Sequence, residues 1–124
     1  LSELNGALYN RQLALFYADH DLRVDEAYKL AATEYVTRKD IHGADALAWT
    51  ALKADKLIEA KTAIKDALRL GTNDAKLFYH AGMIEKAAGN KVGAADYLQK
   101  ALKLNPAFDP LQVAKARATL EELK

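Results

Sequence analysis

Three histidines, His20, His42 and His80, together with Asp45, are the side chains best suited to acid-base or metal chemistry. Imidazole titrates near neutral pH and ligates transition metals, so the four could form a metal site or an acid and base pair. Their spacing argues against both uses. No HxxxH or HxxE pair sets two ligands on one helical turn, and each histidine belongs to a different segment. A histidine that lines a groove or satisfies a helix cap is the simpler reading. The chain has no cysteine, which removes thiolate zinc sites, disulfide scaffolds and cysteine nucleophiles. It also lacks GxxxxGK[ST], GxGxxG and GxSxG, so neither phosphate cradling nor a nucleophile elbow has support. The expectation is a protein that is not an enzyme, with no cofactor and no metal.

The bulk properties narrow the partners. The 124 residues suit one domain with its own core. Eighteen Lys and Arg against 17 Asp and Glu leave a formal charge of +1, far from the basic surface that nucleic acid requires. No apolar run approaches the roughly 18 residues of a membrane-spanning helix. The opening "LSELNGALYN" has neither a basic leader nor an initiating Met, so it reads as a fragment or processed chain. No compartment is indicated.

The elements that must position any site are helical throughout. "DALAWTALKA", "LIEAKTAIKDALRL", "KLFYHAGMIEKAA" and "GAADYLQKALKL" each repeat apolar residues at three- and four-residue intervals. Short breaks with turn chemistry separate them: "HDLR" near 21, "KDIHG" near 40, "KADK" near 54, "GTND" at 71–74, "GNK" at 89–91 and "NPAFDP" at 105–110. About seven helices follow, and connections this short make neighbours pack as antiparallel hairpins.

The hairpins also repeat. Ala60 and Ala94 lie 34 residues apart, as do Ala67 and Ala101, and "DKLIEAKTAIKDALRL" aligns with "NKVGAADYLQKALKL". Gly82, Ala94 and Ala101 are small where helices must approach closely. A 34-residue helix-turn-helix period with these small residues and a closing Pro106 resembles the tetratricopeptide repeat. In residues 75–106, Phe78, Gly82, Ala94, Leu98, Ala101 and Pro106 match its pattern, while Ala81 and Glu85 depart from it. In 41–74 the matches are Leu47, Ala48, Ala60, Ile64 and Ala67, with no closing Pro. Residues 8–40 match least: Ala27 is in place, but Glu34 stands where an alanine belongs. The resemblance implies one all-α domain over 1–124. It would be a right-handed superhelical stack of about three hairpins with a capping helix over about 110–123. In that helix Asp109 is the expected N-cap, Pro110 the first residue, and Leu111, Ala114, Ala118 and Leu120 or Leu123 one apolar side.

The resemblance further implies that the first helix of each repeat lines a concave groove. Its positions here are Tyr9, Gln12, Phe16 and His20 in the first repeat and His42, Asp45, Trp49 and Lys53 in the second. The third contributes Lys76, Tyr79, His80, Met83 and Lys86. Phe16, Trp49 and Met83 fall at one repeat position and form the expected binding row, although an apolar residue at helical spacing equally packs between helices. The Lys and Asn clamp by which some family members hold a chaperone's C-terminal carboxylate is absent, since Gln12, Asp45, Tyr79 and the row itself stand in its positions. The expected role is a scaffold that binds a peptide or helical segment of a protein partner, as the C-terminal array of a larger bacterial-type chain. The alternatives are self-association or packing against the rest of that chain, and a groove for a small ligand or metal.

Overall fold

Several helices in this chain begin where a short polar side chain can take up the first free N–H groups. Asp40 accepts from Gly43 N at 2.7 Å, Asp74 from Lys76 N and Leu77 N at 2.9 and 3.2 Å, and Asp109 from Leu111 N and Gln112 N at 3.0 and 3.1 Å. Asn90 does the same for Gly93 N at 3.0 Å. Each carboxylate or amide satisfies donors that a helix start leaves open.

The computed structural model describes residues 2–69 and 73–123, with side chains from residue 10 onward. Among these residues there are seven α-helices and no strand: α1 Ser2–Asp19, α2 Val24–Thr37, α3 Ile41–Lys53, α4 Leu57–Arg69, α5 Ala75–Ala87, α6 Lys91–Leu104 and α7 Pro110–Leu123. The chain divides into two compact units, 1–70 and 71–124.

In the first unit α2 packs on both α1 and α3, α3 also packs on α1, and α4 pairs with α3. Alanine dominates the interior: Ala14, Ala18, Ala27, Ala31, Ala48, Ala51, Ala60 and Ala67 are all buried, around Trp49 and Ile64. Small side chains let backbones approach, so few large residues are needed to fill the space. In the second unit α5 and α6 form a hairpin and α7 packs on α6. Gly82 marks the crossing of that hairpin. A Cβ there would stand 2.8 Å from Leu98 Cγ and 3.2 Å from the Ala94 carbonyl, so the expected close approach of Gly82 and Ala94 is present.

The hairpin turns themselves recur. After α1, α3 and α5 the backbone passes through a left-handed residue, Asp21 at φ 55°, Asp55 at φ 62° and Gly89 at φ 84°. In each the following N–H reaches back five residues: Leu22 to Tyr17 at 2.8 Å, Lys56 to Ala51 at 2.8 Å and Asn90 to Glu85 at 2.9 Å. This is the Schellman closure of a helix C-terminus. The three left-handed residues are spaced 34 and 34 apart, so the period visible in the alanines is also a period of the backbone.

The last helix corrects the sequence reading. Asp109 and Pro110 begin α7 as expected, but its buried side is Gln112, Ala116 and Thr119. Leu111 is 41% exposed, and Ala114 and Ala118 face outward. Gln112, Ala116 and Thr119 stand 3, 7 and 10 residues after Asp109, the same places that the buried Leu77, Ala81 and Ile84 occupy after Asp74. α7 therefore buries the side that matches α5 rather than its most apolar one.

Candidate functional site

The site expected from sequence is distributed over α1, α3 and α5, and the described side chains fall into an exposed group and an enclosed one. On α1 and the turn that ends it, Gln12, Phe16 and His20 follow one another at four-residue steps and all three are exposed. Phe16 is 52% exposed, although Ala14 and Ala18 on either side of it are fully buried. Its ring lies 4.6 Å from the His20 ring and 6.3 Å from Tyr17. Tyr9 is within α1, but its side chain lies outside the described residues. On α3, His42 is exposed and Asp45 is half-buried.

Trp49 does not join Phe16 in an open row. It is fully buried, and its indole Nε1 donates to Asp19 Oδ1 at 2.9 Å. Lys53 covers the ring from 4.8 Å and reaches Asp21 Oδ1 at 2.9 Å. The cause is the end of α1. Asp19 and the left-handed Asp21 present two carboxylate acceptors to α3, and an indole N–H and an ammonium are drawn to them. Trp49 and Lys53 thus fasten α3 to α1.

In the second unit Tyr79 and His80 are likewise withdrawn from solvent, contrary to the expected groove-facing role. The Tyr79 ring lies 5.6 Å from Phe108 and 5.7 Å from His80, so the segment entering α7 covers it. Lys76 and Met83 are half-buried. Lys86 is exposed and donates to Glu122 Oε2 on α7 at 3.0 Å. The three histidines are scattered: in the first unit His20, in the turn after α1, and His42, on α3, are exposed, and His80 is enclosed in the second. Among the described residues no group of three His, Cys, Asp or Glu side chains is placed to hold a metal ion.

One constellation escaped the sequence reading. Glu34, taken as a fault in the first repeat, is buried and accepts from Arg11 Nη2 at 2.7 Å, and the same nitrogen reaches Asp40 Oδ1 at 3.0 Å. Glu34 sits 33 residues before the buried Ala67, as the buried Ala27 sits 33 before the buried Ala60, so a charge stands where the next repeat has an alanine, and Arg11 meets it. The Asp40 carboxylate also holds the Gly43 N–H, so one guanidinium ties α1 to α2 and to the start of α3. Burial pushes the Asp40 carboxyl up. The Gly43 N–H, Arg11 and the nearby Arg38 outweigh that and hold it below its ordinary value.

No protein-family model matches the chain, and no curated protein matches it with significance. Its described residues include no helix long and apolar enough to cross a membrane.

Proposed function

We propose that this chain is a tetratricopeptide-type array that works as a protein-interaction module and takes a peptide or helical segment of its partner against the outward face of α1. Three features support the repeat reading: left-handed turns spaced 34 and 34 apart, the recurrent Asp caps, and the small residues at the α5 and α6 crossing.

The observation that carries the binding reading is Phe16. An aromatic ring more than half exposed between two fully buried alanines adds little to the core, yet with Gln12 and His20 it offers an anchor flanked by hydrogen-bonding groups. Trp49 leaves the contact surface in this reading and becomes its support, and Tyr79 serves the interior of the second unit. The module performs no chemistry on what it binds.

Selection of binding peptides from a random display library against the whole chain tests this. Peptides selected on the wild type should lose about tenfold in affinity for Phe16→Ala, the loss of one aromatic anchor. Phe16→Ala should keep the wild-type helicity. Peptides that bind both proteins equally would place the binding surface elsewhere.

A further inference from the structure

The buried side of α7 is chemically unlike those of the other helices in its unit. α5 buries Leu77 and Ile84 and α6 buries Leu98, whereas α7 buries Gln112, Ala116 and Thr119. Its aliphatic residues lie elsewhere: Val113, Leu120 and Leu123 are half-buried and Leu111 is exposed. The Gln112 amide departs furthest. The residue is fully buried at the place that Leu77 holds after its cap, yet neither its Nε2 nor its Oε1 has a hydrogen-bond partner. A buried amide left unpaired opposes the seating of the helix that carries it, and the small Ala116 offsets little of that cost.

The connection between the two helices allows α7 to lift. The turn after α6 keeps its own bonds: Asn105 Oδ1 accepts from Ala107 N at 3.0 Å, and Asn105 O accepts from Phe108 N at 3.3 Å. It can stay closed, with Phe108 over Tyr79, while the helix beyond it moves. The Asp109 cap travels with the helix, since it closes on Leu111 N and Gln112 N. The Lys86 and Glu122 pair breaks when α7 lifts, but both side chains are exposed and such a pair contributes little. We propose that α7 is a releasable cover: residues 110–123 leave α6 as a unit while the α5 and α6 hairpin stays folded, and the unpaired Gln112 amide sets how often. The second unit is then a two-state element, closed with α7 seated and open with the underlying side of α6 bared. The inference is independent of the peptide-binding reading of α1.

Amide hydrogen exchange of the whole chain, read residue by residue by NMR at urea concentrations below the unfolding transition, tests it. In the wild type the inner amides of α7, residues 114–120, should exchange at least about tenfold faster than the slowest amides of α5 and α6. Their exchange should also respond more weakly to urea, because lifting one helix exposes less surface than unfolding the unit. Gln112→Met keeps the length of the side chain and removes both polar atoms. It should slow the α7 amides about tenfold, the gain from no longer burying an unpaired amide. Inner α7 amides that match those of α5 and α6 in rate and urea response would overturn the proposal, since the unit would then open only as a whole. A Gln112→Met protein whose α7 amides exchange as fast as in the wild type, or faster, would overturn the role given to Gln112.

Discussion

Removing the Trp49 side chain should destabilise the first unit severely, and the size of the effect can be worked from its surroundings. The ring is fully buried. Truncating a buried Trp to Ala costs about 3–5 kcal/mol through lost transfer energy and the cavity left behind. The Nε1 bond to Asp19 is part of this loss, and a hydrogen bond to a charged acceptor contributes about 1.5–3 kcal/mol. Trp49→Phe keeps most of the ring contacts and should lose mainly that bond. For a domain of 60–100 residues each kcal/mol moves the melting temperature by about 4–8 °C. Trp49→Ala should therefore lower it by at least about 12 °C, with Trp49→Phe between that value and the wild type. Thermal melting followed by far-ultraviolet circular dichroism measures both. Trp49 is the sole tryptophan, so its fluorescence gives an independent reading. Emission should be blue-shifted and poorly quenched by acrylamide. A Trp49→Ala protein melting within about 2 °C of the parent, with a red-shifted and readily quenched parent indole, would refute the placement of Trp49 inside the unit.

Arg11→Met should cost about 3–5 kcal/mol, because it leaves the Glu34 carboxylate buried without its partner, whereas Arg11→Met with Glu34→Leu should recover most of the loss in urea unfolding. Asp40 makes the fold acid-sensitive. Its folded carboxyl lies below the ordinary 3.8, so its contribution is complete above that value and is lost as pH falls through the lower folded one; Asp40→Asn should flatten the dependence of stability on pH in that acid range. Ala introduced at Gly82 must displace Leu98, which is fully buried, and should lower stability by about 1–3 kcal/mol in thermal melting. The turns provide a paired comparison: Gly89→Ala forces a Cβ into a left-handed position and should destabilise by about 1 kcal/mol, while Asp55→Gly relieves the equivalent position and should stabilise.

Periodicity carried the helices because each segment has one apolar side, and the short polar breaks located their ends to within a residue or two. The role of Gly82 was legible for the same reason: a residue without a side chain between larger ones marks a close approach. Trp49 was not legible, since an exposed and a buried aromatic have the same helical spacing and only the acceptors at Asp19 and Asp21, some 30 residues away, decide between them. α7 was misread because its apolar residues were counted without aligning it on α5, whose buried positions after the Asp cap it repeats with Gln112, Ala116 and Thr119. Glu34 was misread because it was compared with the alanines of other repeats one position at a time. Its partner Arg11, 23 residues earlier, is what that comparison left out.

The central claim is that the chain binds a partner through the outward face of α1 while Trp49 and Tyr79 serve the interior. Amide hydrogen exchange of the whole chain, with and without a display-selected peptide, measures this most directly. The expected result is added protection concentrated in residues 10–20 around Phe16, with no change in Trp49 emission. Protection absent from α1, or a bound state in which the indole shifts and Phe16→Ala binds as well as the wild type, would contradict it.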